Sequence, residues 1–174
     1  TGNINISAGT AASANKTIDV GSGALSSSSV TMVTTSNNNR VSYITIGSGS
    51  VSVSGNITMG VNALRNYITF SSSGTLNLGG SISGGDIIPS TGTVNYNGTV
   101  AQSVIMNSTY VYNNLNLNNL AGATLSAAVS ASRVLGDIRV QSGNLKNNGF
   151  AIVGNVGKTF EVANGATLEL GGTT

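Results

Sequence analysis

Apolar and polar residues alternate with a period of two along most of the chain. Ile4 and Ile6, Ile44 and Ile46, Val51 and Val53, Ile57 and Met59, Leu76 and Leu78, Val94 and Tyr96, Leu115 and Leu117, Ile138 and Val140, and Leu168 and Leu170 each flank a single polar or small residue. Successive side chains of a strand point to opposite faces, so each pair predicts a short strand with one face inward and the other toward solvent. Clusters of Gly, Asn and Ser, such as 47–50, 71–74, 79–85 and 147–149, separate these segments. They imply a change of direction every ~8 to 12 residues, and roughly 17 strands in all. No stretch carries the 3.6-residue apolar spacing of an amphipathic helix.

Internal repetition selects among all-β architectures. Residues 2–6 read GNINI, 55–59 GNITM and 136–140 GDIRV, while 75–80 read TLNLGG and 167–172 TLELGG, with TVNYNG at 93–98 a looser relative. A sandwich has no reason to repeat itself in this way, whereas stacked units bury their apolar faces against one another and reuse the same phrases. The chain is therefore expected to be an all-β parallel β-helix, a β-solenoid, of roughly six to seven coils at ~25 residues per coil. Aliphatic ladders would fill its interior, small residues its corners, and Asn side chains would stack as hydrogen-bonded ladders at the turns. Residues 1–174 read as one domain, or as a segment of a longer repetitive surface protein.

Composition supports this reading. Gly, Ser, Thr and Asn make up about half of the 174 residues, and only 7% are charged, against roughly 25% in an ordinary soluble domain. With 39% hydrophobic residues the chain has the means to bury a core, and disorder is not expected. The net charge is +2, and the basic residues Lys16, Arg40, Arg65, Arg133, Arg139, Lys146 and Lys158 are scattered. Nucleic-acid binding needs clustered phosphate contacts, so no nucleic-acid partner is expected. No apolar run reaches the ~18 residues of a membrane span, and none is expected.

The segment 92–172 carries GTVNYNG, then YNNLNLNN at 112–119, GDIRV, GNLKNNGFAIVGNV at 143–156, and ATLELGG. These phrases resemble the repetitive β-solenoid regions of Bacteroidetes-type secreted surface and gliding adhesins. The resemblance implies an extracellular or cell-surface location and an adhesive or structural role. It covers about half of the chain directly and the remainder by composition.

The side chains that carry most enzyme chemistry are scarce. There is no His and no Cys, which removes the commonest general base, thiolate metal sites and the familiar triads. A carbohydrate-active β-helix would need paired carboxyls at a defined separation. The acidic residues are Asp19, Asp86, Asp137, Glu161 and Glu169, and none adjoins another. Asp137 and Glu169 stand where the sister phrases have Asn, which reads as a solvated strand or turn position. Arg133, Asp137 and Arg139 form the densest charged group, and Asp137 and Arg139, two apart on one strand, would share a face as a surface ion pair of little energetic weight. Gly84, Gly85 and Asp86 come nearest to a calcium β-roll repeat, but without its glycine spacing or repetition, and a single carboxylate falls short of 6 to 8 oxygen ligands. The glycine-rich run 79–85 lacks the Lys-Ser/Thr ending and helix of a phosphate loop, so it reads as a turn. Tyr43, Tyr67, Tyr96, Tyr110 and Tyr112 would make sugar-stacking platforms if several faced outward; Tyr96 falls in an inward slot, and packing is the more frequent fate of strand aromatics.

No residue is assigned a catalytic, cofactor or metal role, no cofactor is expected, and the chain reads as a protein other than an enzyme. The leading expectation is an extracellular structural or adhesive rod forming or decorating a filament, sheath or adhesin stalk. Neither end of the sequence shows a polar capping helix, so self-association by head-to-tail stacking, or stacking on neighbouring repeats of the same chain, is expected. The alternative is a module that binds glycans or a surface through polar Asn and Thr rows without self-assembly. An ice-binding face is not expected because no regular Thr-x-Thr ladder is present. Third comes a polysaccharide-active enzyme, which would require Asp86 or Asp137.

Overall fold

The computed structural model describes residues 1–7, 15–33, 41–60 and 65–171. Arg40 and Gly172, which figure in the charge pattern and the second TLELGG phrase, lie outside the described residues. Among the described residues there is no helix, and the chain forms nineteen strands. The first coil contains β1 (Asn3–Ser7), β2 (Lys16–Asp19) and β3 (Ala24–Ser27); the second β4 (Ser29–Val33), β5 (Ser42–Ile46) and β6 (Ser50–Val53). The third contains β7 (Ile57–Met59), β8 (Asn66–Phe70) and β9 (Thr75–Leu78); the fourth β10 (Ile82–Ser83), β11 (Asp86–Ile88) and β12 (Thr93–Tyr96). Two strands mark each later coil: β13 (Gln102–Val104) with β14 (Asn114–Asn118), β15 (Ala123–Leu125) with β16 (Ile138–Ser142), and β17 (Asn144–Lys146) with β18 (Phe160–Val162). The last described strand is β19 (Thr167–Glu169).

Every strand pairs in parallel with its counterpart one coil away, which is the defining connectivity of a β-solenoid. Sheet C is the spine, in the order β18-β16-β14-β12-β9-β6-β3, and its seven strands mark about six turns. Sheet A (β1-β4-β7-β10) and sheet B (β11-β8-β5-β2) form the other faces of the first four coils. In the later coils sheet D (β13-β15-β17-β19) follows each strand of sheet C in the chain, as sheet A does earlier. The B position is there reduced to isolated bridges, Ile87 to Tyr110, Tyr112 to Val134 and Val129 to Ile152.

Registers show why the alternation was so regular. Leu25, Val51, Leu76, Val94, Leu115, Ile138 and Phe160 occupy one rung position of sheet C, and Ser27, Val53, Leu78, Tyr96, Leu117, Val140 and Val162 the rung position two residues on. Strands stacked about 4.8 Å apart bring identical positions into contact, so the aliphatic members of each column pack on one another from coil to coil. The interior is a single apolar cluster running from Ile6 to Leu145. Of the nine predicted pairs, seven are buried at both positions; Ile4 is half-buried beside buried Ile6, and at the other end Leu168 is half-buried while Leu170 is 69% exposed.

Three tyrosines mark the change from sheet A to sheet D. Tyr96, Tyr110 and Tyr112 are fully buried. The Tyr96 and Tyr112 hydroxyls lie 3.0 Å apart, Tyr112 donates to the Ile105 carbonyl at 2.7 Å, and the Ile105 N–H reaches the Tyr96 oxygen at 3.4 Å. Tyr110 donates to the Gly84 carbonyl at 2.6 Å. Residues 105–112 have no continuous strand partner, so these hydroxyls satisfy backbone groups that the ladder leaves unmet, which a buried segment requires.

The repeated phrases occupy different faces. GNINI and GNITM supply β1 and β7 of sheet A, whereas GDIRV supplies β16 of sheet C; TLNLGG supplies β9 of sheet C, whereas TLEL supplies β19 of sheet D. Each phrase encodes a half-buried strand with an adjoining corner, and any side of the coil accepts that unit.

Candidate functional site

The five carboxylates are dispersed, and four of them bond within the scaffold. Asp19 accepts the Gly21 N–H at 3.0 Å within a turn. Asp86 is buried at 6% exposure on β11, in register with Tyr67. Asp137 accepts the Thr159 N–H of the next coil at 2.9 Å, repeating what Asn56 does for Ser81 at 2.9 Å and Asn114 for Asp137 itself at 3.1 Å. The Asn-to-Asp exchange within the GNITM phrase thus preserves a coil-to-coil acceptor. Asp137 and Arg139 do not pair. Arg139 reaches Glu161 on the neighbouring rung at 3.3 Å, and Lys146 reaches Glu169 at 3.3 Å, because the residue one coil away is nearer than the one two positions along. Asn144 also donates to Glu169 at 2.8 Å, and these bonds hold its carboxyl below the usual range. Among the described residues no group of three or more acidic, His or Cys side chains could hold a metal ion.

Of the five tyrosines, only Tyr43 and Tyr67 face outward. They stand in register on β5 and β8 and stack with centroids 4.7 Å apart and planes 9° from parallel. Each ring spends one face on the other, and Thr17 and Asp86 occupy the rungs on either side. The pair is therefore a cross-strand contact whose rim meets solvent. Burial and the neighbouring Tyr43 ring raise the Tyr67 phenol above its ordinary range.

Sheet C presents the most ordered outward surface. One outward row runs Ser26, Ser52, Asn77, Asn95, Asn116, Arg139 and Glu161. Asn77 donates to Ser52 at 3.1 Å, Asn95 to Asn77 at 2.9 Å, and Asn116 to Asn95 at 3.0 Å. The amide ladder expected at turns thus lies on the flat of a sheet, and the aligned phrases TLNL, TVNY and NLNL carried the signal for it. Where Arg139 follows, the ladder stops, and the Asn116 Oδ1 is buried without a hydrogen-bond partner.

The corner after sheet C is built from buried amides. Gln102, 7% exposed, donates to the Leu78 and Gly80 carbonyls at 2.9 and 2.7 Å and accepts the Gly98 N–H at 2.8 Å. Asn119, 1% exposed, donates to the Val100 carbonyl and to Gln102, both at 2.8 Å, and accepts from Ala121 N–H at 2.8 Å. These bonds tie three successive coils together at a point where the backbone leaves the ladder. At the far end of the described chain a cavity of about 550 Å³ is lined by Phe150, Ile152, Phe160, Leu168 and others, residues of the last coil that are half-buried or exposed there.

No protein-family model, curated protein or solved structure matches the chain.

Proposed function

We propose that the chain is a non-enzymatic, stiff β-solenoid rod at an extracellular surface, forming or decorating a filament, sheath or adhesin stalk of the kind its phrases resemble. The observation that carries this reading is sheet C, in which seven parallel strands stack in register with one continuous apolar interior. Such a stack resists bending because every coil is bonded to the next by backbone ladders on more than one face. The carboxylates support the same reading, since four of the five act as turn, coil-to-coil or ion-pair partners.

Assembly follows the same axis. β1, β2 and β3 at one end and β18 and β19 at the other each pair on one side only among the described residues. Such edges accept a further parallel coil, from the same chain or from a second copy stacked head to tail. Electron microscopy of the purified protein without ligand, over a range of concentrations, tests this. Filaments with an axial repeat of about 30 to 35 Å, six or seven steps of ~4.8 Å, support the reading. Uniform single particles at every concentration overturn self-stacking.

A further inference from the structure

Two hollows follow one another along the solenoid axis beside sheet C. The first, about 310 Å³, is bordered by Ser52, Ser54, Asn77, Gly79 and Asn97; the second, about 500 Å³, by Asn118, Leu120, Ala121 and Ser142. The turn of Asn97, Gly98 and Thr99 borders both. Together they draw on strands or adjoining turns of six successive coils, from β3 to β16.

The glycines keep the first hollow open. A Cβ on Gly79 would lie 2.5 Å from the Ser54 carbonyl oxygen, and one on Gly98 would lie 2.5 Å from that of Gly79. Coils can approach this closely only without side chains, and the surface is left concave there. The buried Gln102 and Asn119 amides fix the 97–99 turn from beneath. The concavity is thus held by the scaffold in advance of any ligand.

The lining defines the chemistry of an occupant. No side chain bordering either hollow is charged. Residues with a hydroxyl or carboxamide are the most numerous around both, and among the described residues the exposed side chains of Ser54, Asn97 and Thr99 have no hydrogen-bond partner. Leu120, 87% exposed, adds an apolar platform in the second hollow. Backbone groups are already committed: the N–H groups of Ser54, Gly79 and Asn97 bond to Ser27, Val53 and Leu78 of the preceding coil. A peptide adding as a strand finds no ladder here, whereas a ligand read through side chains does. The side-chain pattern repeats once per coil, every ~4.8 Å, close to the length of one pyranose unit in an extended polymer.

We propose that these hollows form a binding trough for a neutral, extended polysaccharide laid along the solenoid axis, its hydroxyls met by Ser, Thr and Asn of successive coils. Weak contacts repeated along the trough give the affinity, as multivalent attachment requires. The site does not depend on the rod reading, because it lies on the side of a single chain.

Native affinity electrophoresis in gels containing mixed-linkage β-glucan, galactomannan or dextran, with polygalacturonate as the anionic comparison, tests the trough. At least one neutral polymer should retard the protein while polygalacturonate does not. The double variant Asn97→Ala, Thr99→Ala, which removes two exposed side chains without touching the core, should weaken that retardation about tenfold, as two lost hydrogen bonds imply. Asn97→Trp should obstruct it, and Thr58→Ala on sheet A should leave it unchanged. Circular dichroism confirms the fold of each variant. The proposal is overturned if none of the neutral polymers retards the protein, if polygalacturonate binds as well as they do, or if both trough variants bind like the parent.

Discussion

Leu76 sits in the middle of the spine, fully buried, with Val51 and Val94 on the rungs to either side. Replacing it with Ala removes three carbons from a column in which each residue is packed by its neighbours one coil away. At ~0.8 kcal/mol per buried methylene the transfer contribution is about 2.4 kcal/mol. A parallel ladder bonded on both sides cannot collapse into the gap, so the cavity adds to this, and a total loss of about 3 to 5 kcal/mol is expected. Urea unfolding followed by far-ultraviolet circular dichroism measures it. With a denaturant dependence of ~2 kcal/mol per molar, the midpoint should fall by roughly 1.5 to 2.5 M. Thr58→Ala, on the solvent side of β7, should stay within about 0.5 kcal/mol of the parent. A loss below about 1 kcal/mol for Leu76→Ala, with the denaturant dependence unchanged, would falsify the claim that these ladders close over a packed interior.

Alkaline pH should unfold the chain. Burial first, with neighbouring phenols adding, holds Tyr110 and Tyr112 protonated well above the ordinary range; burial likewise raises Tyr96, against the lowering effect of its own hydrogen bonds. The unfolded chain ionises these groups near pH 10; above that pH it binds fewer protons than the native state, so stability is unchanged below pH 10 and declines as pH rises further. Phenolate absorbance from the three should appear together with loss of the circular dichroism signal, and its gradual appearance in folded protein would contradict the structure. Gly79→Ala forces a Cβ against Ser54 backbone atoms at 2.5 to 2.9 Å and should cost about 1 to 3 kcal/mol in the same urea experiment; a neutral result would mean that the corner yields. Added sodium chloride should barely move the parent's midpoint, since the Arg139–Glu161 and Lys146–Glu169 pairs are about half exposed and such pairs contribute little.

The solenoid was legible because its interior imposes the same demand at every rung. Leu76, Val94 and Leu115 meet one another, so the sequence must return to an aliphatic residue at each pass. The coil boundaries were not legible. Successive strands of sheet C begin at residues 24, 50, 75, 93, 114, 138 and 160, a spacing that varies from 18 to 26 residues, because corners absorb different lengths while the ladders keep register, apart from one shift between β14 and β16 after Leu117. The repeated phrases misled for the same reason: TLNL and TLEL fold alike locally but lie on different faces. Pairing across coils was equally hidden. Nothing within the sequence GDIRV indicates that Arg139 answers to Glu161, 22 residues away, until the register of β16 and β18 is known. The corner amides Gln102 and Asn119 carried no signal, since they bond to each other and to backbone groups of other coils.

Since the interior is fixed, what distinguishes one part of the rod from another lies in the outward rows, and there one substitution separates ladder chemistry from charge chemistry. Arg139 stands in register with Asn116 but turns to Glu161, leaving the Asn116 Oδ1 buried without a donor. Arg139→Asn would place an amide where Asn95 and Asn116 already show the required geometry, at 2.9 and 3.0 Å along the row. The lost ion pair is half exposed and contributes little, whereas satisfying a buried acceptor is worth about 1 kcal/mol or more. Arg139→Asn is therefore expected to stabilise the chain by about 0.5 to 1.5 kcal/mol, an unusual direction for an arbitrary substitution. Arg139→Ala, which removes the ion pair without supplying a donor, separates the two contributions: it should be neutral or slightly destabilising. If Asn and Ala behave alike at this position, the outward row is not a hydrogen-bonded ladder with a terminus at Asn116, and its amides act independently of one another.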